Sequence, residues 1–523
     1  MIRRTSMPLL RKNAYWIFLL ALSIVVMTLG GIATSKYGAA VSSDSAKYMS
    51  VAENLLAGNG LVDHRGLPLL SWPPLYPLML AGLRLLTGTD VFVAGWYFNI
   101  ILLGLNLFLS GMLFQRAFRK KMLYAVIASL FVALSLSSLR IHVTISADPF
   151  YLTLTLAFLL AVDPYITKKS YVAFAWMVVL SMLAPMQRYV GPALGVTAGF
   201  VILIENRKAP RVILRDGFIL GILSILPIGW WLGIHNIMTY GTLWGTGGPP
   251  SDVWMNVTLA LTKMLHWFAP YHPALMPALT RPLVPLGLLA LALILINWRK
   301  RGNLRAWRDA LSAASAYPTM IHALVYFAAV ALTIITGDHL DLTSDRYYVI
   351  LLVPTIIIVL VTFDTLLRPH LRLSPQWIGY GLAFAFAIWS AYPGYSMFKY
   401  LGDARLQGEP SNYNFYNNRT FHEMAIVAEM QRLRAAEPGA VFYSNYVDAV
   451  WFFTRQPANV LPRRSVGVEN YVGWPHDRPG YIIWFEPNEY IHLLSPEELS
   501  ELADLRLIFS DKSGQIYYVQ PLK

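Results

Sequence analysis

The chain has 523 residues, of which 56% are hydrophobic and only 14% are charged, whereas a soluble protein carries about 25% charged residues. It contains no cysteine, which excludes disulfides, thiolate metal sites and cysteine nucleophiles. Its net charge of +13 comes from Lys and Arg residues between predicted membrane spans, so a nucleic-acid partner is not predicted.

Apolar stretches recur along the whole chain at about 20 residues, the length that a helix needs to cross a bilayer. This pattern predicts a mainly α-helical, polytopic membrane protein. The eleven predicted spans are 14–34, 92–114, 122–138, 149–165, 171–186, 190–204, 217–235, 283–298, 318–336, 347–363 and 377–396. The first span is too long for the apolar region of a signal peptide, so it is predicted to be retained.

Basic residues are concentrated in alternate segments between these spans. The clusters are Arg3/Arg4/Arg11/Lys12, Arg116/Arg119/Lys120/Lys121, Lys168/Lys169, Arg207/Lys208/Arg211/Arg215, Arg299/Lys300/Arg301/Arg305/Arg308 and Arg368/Arg372. Because cytoplasmic loops of membrane proteins are rich in Lys and Arg, these segments and the N-terminus are predicted to be cytoplasmic. The remaining loops and the chain after residue 396 are then predicted to lie outside the cell membrane.

Residues 397–523 alternate helix-like and strand-like patterns and are predicted to form a small extracytoplasmic α/β domain beside a membrane domain of residues 1–396. The segments "FHEMAIVAEMQRLRAAEPG" and "SPEELSELADL" are typical of helices, the second opened by a capping box of Ser495 and Glu498. "AVFYSN" is typical of a strand, and "RLIFSDKSGQIYYVQ" predicts a hairpin that turns at Lys512–Gly514.

The first outer loop (35–91) contains "VSSDSAKYMSVAENLLAGNG", which is too polar to cross a membrane. In a helix, one side would carry Tyr48, Ala52, Leu55 and Leu56, and the other Lys47, Ser50, Glu53 and Asn54. This pattern predicts an amphipathic helix that lies in the membrane interface and begins near Asp44. "PPLYPLMLAGLRLL", after Trp72, predicts a second, more apolar helix in the same loop.

Four ionisable residues fall at span ends or loops of the predicted outer face, namely Asp44, Asp148, Arg188 and Arg346. Such residues often mark a functional site in membrane proteins. Each also has a structural interpretation. Asp44 and Asp148 can act as helix N-caps, Arg188 can extend to lipid head groups, and Arg346 can anchor a span at the interface.

Other polar residues of the loops give weaker signals. The histidines His64, His266, His272 and His339 lack the spacing of metal ligands and are predicted to be loop residues. Asp338, Asp341 and Asp345 can bind a divalent cation, although a solvated acidic loop explains them more simply. No other cofactor is predicted.

A polar site at the lipid surface suits an amphiphilic substrate with an anionic head group. Arginine binds phosphate through paired N–H groups, and a nearby carboxylate can take a proton from an acceptor hydroxyl. Because sugar nucleotides are not normally available outside the cytoplasm, a sugar transferase with an outer site would draw its sugar from a lipid carrier.

The segments "DSAKYMSVAENLLAGNG" and "PPLYPLMLAGLRLL" resemble the first outer loop of the GT-C glycosyltransferase superfamily, closest to bacterial relatives of protein O-mannosyltransferases and of the lipid A aminoarabinose transferase. The resemblance continues through "SADPFYLTLTLAFLLA", "QRYVG" and "DRYYVILLVP" to "AVFYSNYVDAVWFFTRQPANVLP". It implies the GT-C fold, two loop helices along the membrane, and transfer of a sugar from a polyprenyl-phosphate carrier to a lipid, glycan or protein acceptor.

The resemblance also implies roles for individual residues. Asp44 matches the catalytic aspartate, the general base of an inverting displacement. Asp148 matches an acidic residue of the second outer loop, which is grouped with the catalytic residues. Arg188, Arg346 and Tyr347 match positions near the pocket for the donor phosphate.

The chain departs from these families at two positions, which leaves the sugar and any metal open. Ser45 follows Asp44 where the mannosyltransferases have a second acid, and Trp72 stands where the aminoarabinose transferase has a lysine. Two other functions remain as alternatives. A ligase or polymerase that uses a diphosphate lipid predicts several arginines in loop 236–282, which has only Lys263 and Arg281. A transporter predicts inverted repeats and charges in mid-span, which the sequence does not show.

Overall fold

The structure is a computed structural model, and it describes residues 7–119, 121–243, 253–268, 307, 309, 316–335, 344–371, 373–409, 415–466, 471, 474–475, 478–488 and 490–522. Most of these residues are helical. In the part before residue 408 the α-helices are α1 (Met7–Ala33), α2 (Ser43–Leu56), α3 (Leu75–Thr87), α4 (Val91–Ala117), α5 (Met122–Ala133), α6 (Leu136–His142), α7 (Asp148–Lys168), α8 (Tyr171–Gln187), α9 (Pro192–Glu205), α10 (Pro210–Trp230), α11 (Val253–Phe268), α12 (Tyr317–Ile335), α13 (Leu352–Thr362) and α14 (Pro375–Gln407).

Several of these helices are long and apolar enough to cross a membrane. Among the described residues there are five such segments, Asn13–Ala33, Val91–Ala117, Asp148–Lys168, Pro210–Met238 and Val349–His370. A sixth exists if α5 and α6 form one span, but the two helices meet at an angle of 53°. The predicted span 122–138 is therefore a bent pair, because the side chain of Ser135 caps α6 and starts a new helix axis.

The other predicted spans have different outcomes. Three of them coincide with the shorter apolar helices Tyr171–Gln187, Pro192–Glu205 and Tyr317–Thr333. Span 377–396 lies on α14, and span 283–298 lies outside the described residues. The chain is thus a multi-pass membrane protein, while the count of eleven spans stays a prediction.

Segments predicted to share one side of the membrane contact each other. At the basic end, Lys121 and Arg368 both pair with Asp364. At the opposite end, the first loop meets the segment before α7, where Ala40 N donates to Val143 O at 2.8 Å. We call this second end of the membrane helices, which carries residues 35–91, the site face. Its location outside the cytoplasm stays a prediction.

The first loop forms two helices, α2 and α3, as predicted. A capping box opens α2, because Ser42 Oγ accepts from Ser45 N at 3.3 Å and Ser45 Oγ accepts from Ser42 N at 3.0 Å. Gly88, with a φ of 69°, ends α3. More of α2 is buried than predicted: Ser50, expected on the polar side, is buried and accepts from His64 N at 3.1 Å.

The C-terminal part contains a five-stranded sheet in the order β2-β1-β3-β5-β4. The strands are β1 (Val441–Ser444), β2 (Ala458–Val460), β3 (Gly480–Phe485), β4 (Ala503–Asp511) and β5 (Gly514–Pro521). The first three are parallel, and β5 is antiparallel to both β3 and β4. The accompanying helices are α15 (Arg419–Glu423), α16 (Ala425–Ala436), α17 (Val447–Thr454) and α18 (Pro496–Leu499). This arrangement confirms the predicted small α/β fold.

Two predicted elements of this domain differ from the structure. Ser495 and Glu498 do form the predicted capping box, but α18 has only four residues. Leu505, predicted to end that helix, pairs with β5 instead, so strand pairing overrides the local helical pattern. The other predicted helix is broken at Met424, whose backbone is extended.

One hydrophobic core joins the first loop to the C-terminal domain. Tyr48 and Tyr76 of the loop helices are buried together with Tyr416, Phe421 and Tyr446. The predicted boundary between residues 396 and 397 lies inside α14, and it stays a prediction. The C-terminal domain therefore rests on the site face and covers part of the first loop.

Candidate active site

Two ion pairs lie at the site face, and they contain the four ionisable residues selected from the sequence. Arg346 Nη1 donates to Asp44 Oδ2 at 2.7 Å. Arg188 Nη1 pairs with Asp148 Oδ1. Each pair joins segments that are distant in the chain, and each places a cation beside an anion at a helix end.

Tyr347 connects the two pairs. Arg346 Nη2 donates to Tyr347 Oη at 2.7 Å. The guanidinium carbons of Arg346 and Arg188 lie 4.9 Å and 5.6 Å from the centre of the Tyr347 ring. Because an aromatic face attracts cations, Tyr347 holds the two guanidinium groups near each other. All five residues selected from the sequence thus lie in one cluster.

The first turn of α2 positions Asp44. Ser42, and not Asp44, caps this helix. Ser45 Oγ donates to Ile145 O at 2.6 Å, which fixes α2 against the segment before α7. The carboxylate of Asp44 therefore serves Arg346 rather than the helix end, and the interpretation of Asp44 as only an N-cap is wrong.

Asp148 is likewise not a cap. The residue at the N-cap position of α7 is Ala147, which makes no side-chain cap, and Asp148 is the first residue of the helix. Gln187 Nε2 donates to Ala147 O at 2.8 Å, which ties the end of α8 to the start of α7. The Asp148–Arg188 pair spans the same junction.

Arg188 lies in the tight turn between α8 and α9, and this turn requires a glycine. A Cβ atom at Gly191 would lie 2.2 Å from the backbone oxygen of Ala184, which is closer than any side chain allows. Tyr189 Oη donates to Leu70 O at 2.6 Å and so joins the turn to the first loop. Arg188 is held by the protein on several sides, which does not fit a side chain that extends to lipid head groups.

The two pairs differ in exposure. The side chains of Asp148 and Arg188 are 4% and 19% exposed, whereas those of Asp44 and Arg346 are 23% and 30% exposed. Burial by itself lowers the pKa of Arg346, but Asp44 and Tyr347 raise it above its ordinary value. Both arginines therefore stay charged, and Asp44 is the carboxylate that an incoming molecule can reach more easily.

Tyr48 is a neighbour of the site that the sequence pattern assigned only to the apolar side of α2. It is buried, and burial together with Asp44 and Asp148 raises its pKa well above the ordinary value, so its hydroxyl stays protonated. The adjacent Lys47 places its ammonium group 4.9 Å from the centre of the Trp72 ring. A positive charge is thus present at Trp72, where the chain departs from the aminoarabinose transferase.

Asp448 of the C-terminal domain reaches the first loop next to Asp44. It lies in a segment that carries the family resemblance, but no role was predicted for it. Its carboxylate accepts from Ser43 Oγ at 2.5 Å and pairs with His64 Nε2 at 2.9 Å. His64 lies in a loop, as predicted, but it is buried and stacks on Trp451, with ring centres 5.7 Å apart. A sequence pattern cannot reveal this contact, because Asp448 lies 384 positions after His64 in the chain.

The described residues do not fit a metal ion at this site. Asp44 and Asp148 are each engaged by an arginine, and among the described residues no three His, Cys, Asp or Glu side chains are grouped as metal ligands. Divalent cations such as Ca²⁺ take about six to eight oxygen ligands. Of the acidic loop predicted as an alternative cation site, Asp338, Asp341 and the side chain of Asp345 lie outside the described residues.

Comparison with known proteins gives no match to a family model and none to a curated protein, but solved structures do match. ArnT from Cupriavidus metallidurans, bound to undecaprenyl phosphate, has a TM-score of 0.57 at 15% identity, over 97% of this chain and 98% of that chain. The Archaeoglobus fulgidus oligosaccharyltransferase in complex with Zn and sulfate has a TM-score of 0.52 at 10% identity, over 95% and 72%.

The archaeal oligosaccharyltransferase AglB from the same organism, in complex with an inhibitory peptide and a dolichol-phosphate, has a TM-score of 0.51 at 11% identity, over 90% of this chain and 70% of that chain. The likeness to ArnT extends over nearly the whole of both chains. The predicted resemblance is therefore confirmed at the level of the fold: this chain has the fold of the GT-C membrane glycosyltransferases.

Proposed function

We propose that this protein is a membrane glycosyltransferase that moves a sugar from a polyprenyl-phosphate carrier to an acceptor at the site face. The observation that carries the proposal is the cluster of Asp44, Asp148, Arg188, Arg346 and Tyr347, assembled in a fold shared with two kinds of transferase. The matching ArnT structure contains undecaprenyl phosphate and the AglB structure a dolichol-phosphate. Both molecules are lipids with a single phosphate head group.

Arg188 and Arg346 bind the phosphate of the donor in this proposal. Their guanidinium carbons lie 5.6 Å and 4.9 Å from the centre of the Tyr347 ring, and in this proposal both groups contact the one phosphate. As the bond to the sugar breaks, negative charge grows on that phosphate, and fixed cations stabilise it. Asp148 acts through Arg188, because its buried carboxylate keeps this guanidinium charged and oriented.

Asp44 is the general base. Its Oδ2 accepts from Arg346, while within the described part of the chain no hydrogen bond reaches Oδ1. That oxygen takes the proton from an acceptor hydroxyl, the hydroxyl oxygen forms a bond to the anomeric carbon, and the bond from this carbon to the phosphate oxygen breaks. The polyprenyl phosphate leaves with the electron pair, and attack from the opposite side inverts the anomeric configuration.

Purified protein incubated with a panel of undecaprenyl-phosphate-linked hexoses and pentoses tests this function. We expect undecaprenyl phosphate to be released, and the acceptor to gain one sugar, only when a membrane lipid, glycan or peptide acceptor is present, as measured by mass spectrometry. NMR of the product should show an inverted anomeric centre. Transfer only from undecaprenyl-diphosphate glycans would instead establish the ligase alternative, and transfer from sugar nucleotides would contradict both.

The side of the membrane on which the site lies can be tested separately. The chain has no cysteine, so single cysteines at the exposed positions Lys168 and Lys512 report on one side each. We expect an impermeant thiol reagent on intact cells to label Lys512→Cys and to leave Lys168→Cys unlabelled. The reverse pattern would place the site face in the cytoplasm.

A further inference from the structure

The C-terminal domain holds α2 at both of its ends. At the start of the helix, Asp448 accepts a hydrogen bond from Ser43 Oγ at 2.5 Å. Towards its end, Arg455 lies 3.8 Å from Glu53 and 3.4 Å from Asp90, which caps α4. Only the first of these contacts lies on the turn that carries Asp44.

The first turn of α2 directs three consecutive side chains to three different parts of the protein. Ser43 bonds to Asp448 of the C-terminal domain, Asp44 pairs with Arg346 before α13, and Ser45 donates to Ile145 O before α7. Asp44 is thus flanked on both sides by residues with fixed partners. The position of its carboxylate therefore depends on both contacts.

Asp448 is suited to a fixed contact. Burial by itself raises the pKa of this carboxyl group, but the hydrogen bond from His64, the charge of Lys47 and the hydrogen bond from Ser43 bring it below its ordinary value. An ionised carboxylate accepts hydrogen bonds from two donors at once, and hydrogen bonds to a charged group are stronger than neutral ones. The stacking of His64 on Trp451 holds the second donor in place.

The same three residues are not arranged for nucleophilic catalysis. In a Ser-His-Asp triad the histidine lies between serine and aspartate and takes the proton of the hydroxyl. Here Asp448 lies in the middle, with Ser43 bonded to one of its oxygens and His64 to the other. Among the described residues, the hydrogen-bond partner of the Ser43 hydroxyl is this carboxylate, so the cluster is a means of attachment.

We propose that Asp448 is a positioning residue: through Ser43 it fixes the first turn of α2 and so sets the carboxylate of Asp44 against Arg346 and the bound donor. The proposal rests on the proposed function, in which Asp44 is the base. It assigns the C-terminal domain a part in the active site, because Asp448 holds the turn of α2 that carries Asp44. A small displacement of a reacting group is costly to the rate.

Ser43→Ala tests this contact with the least change, because Ser42 supplies the cap and remains. Ser43→Thr keeps the hydroxyl and is the rescue variant. Arg455→Ala is the matched control, since it breaks a contact of the same two parts at the other end of α2. Two measurements are made on the full chain: hydrogen exchange of the amides of residues 45–48, and transfer from an undecaprenyl-phosphate-linked sugar, with the affinity for undecaprenyl phosphate measured separately.

For Ser43→Ala we expect exchange in the first turn of α2 to rise by about tenfold and turnover to fall by about tenfold, with the affinity for undecaprenyl phosphate unchanged. Ser43→Thr and Arg455→Ala should resemble the wild type in both measurements. In an Asp44→Asn background, Ser43→Ala should lower turnover no further, because it acts through Asp44.

Other outcomes overturn the inference. Unchanged hydrogen exchange or unchanged turnover in Ser43→Ala would do so. An equal loss of turnover in Arg455→Ala would also do so, because it indicates general loosening of the domain. So would a further loss of turnover when Ser43→Ala is added to Asp44→Asn. Failure of the proposed function looks different: the wild-type protein then transfers no sugar from the lipid-linked donors, or Asp44→Asn turns over normally.

Discussion

The two ion pairs of the site have the same chemistry and different surroundings. Asp148–Arg188 joins the ends of two membrane helices and is largely buried, whereas Asp44–Arg346 joins a loop helix to the start of a span and is more exposed. An ion pair buried in protein is costly to break, because the remaining charge has no water to solvate it. A more exposed pair can exchange its partner for a ligand. The first pair is therefore suited to holding the site together and the second to chemistry.

The strongest test of this difference removes the charge of Asp148. In Asp148→Asn, Arg188 stays mostly buried without an anion, and we expect a loss of about 3–5 kcal/mol in the free energy of unfolding. Thermal unfolding in detergent measures it. The double variant Asp148→Asn with Arg188→Gln removes both charges and should recover much of the loss. If the single and double variants are equally unstable, the charge left behind is not the cause.

The corresponding change in the other pair should affect activity and spare stability. Asn at position 44 can still accept from Arg346 through its amide oxygen, and the cap on Ser42 is untouched. We expect Asp44→Asn to bind undecaprenyl phosphate as the wild type does and to lose about 100-fold or more in turnover, the scale for removing a positioned base.

The acceptor in this assay must carry a hydroxyl nucleophile, because an acceptor phosphate is already ionised and needs no base. The melting temperature serves as the control and should equal that of the wild type. Near-normal turnover with a hydroxyl acceptor would remove Asp44 from the role of base and would leave it only as the partner of Arg346.

A third change acts on the backbone that carries Arg188. Gly191→Ala places a Cβ against the backbone of Ala184, so we expect the turn to open. The free energy of unfolding should fall by about 1–3 kcal/mol, and undecaprenyl phosphate should bind more weakly. Gly199→Ala in α9 is the matched control, since a Cβ there meets no atom within 4 Å. Equal melting temperatures of the two variants would show that the turn does not depend on its glycine.

Much of the membrane domain was predictable, because apolar length and charge asymmetry are local properties of the sequence. The membrane helices, the two loop helices and the five site residues follow from them and from the family resemblance. The bend between α5 and α6 depends on one serine cap. What the sequence could not show are contacts over long distances, such as Ser43 and His64 with Asp448, because a local pattern does not reveal which residues of a distant segment it contacts. The burial of Ser50 was missed because it depends on how the first loop folds back on α2, where Ser50 Oγ accepts from His64 N.

The smallest expected effect concerns the phosphate contact of the exposed pair. Arg346 uses Nη1 for Asp44 and Nη2 for Tyr347, and a lysine ammonium cannot make both contacts with the same planar geometry. We expect Arg346→Lys to weaken binding of undecaprenyl phosphate by about tenfold, since one charged hydrogen bond contributes about 1.5–3 kcal/mol. Stability should change little, because the pair is partly solvated.

Binding is measured by native mass spectrometry or by displacement of a fluorescent lipid, which gives the ratio of the wild-type and variant affinities. Arg84→Lys on the exposed part of α3 is the control, because it makes the same substitution outside the site. Equal affinity of Arg346→Lys and Arg84→Lys would contradict a directed contact between the guanidinium group of Arg346 and the donor phosphate.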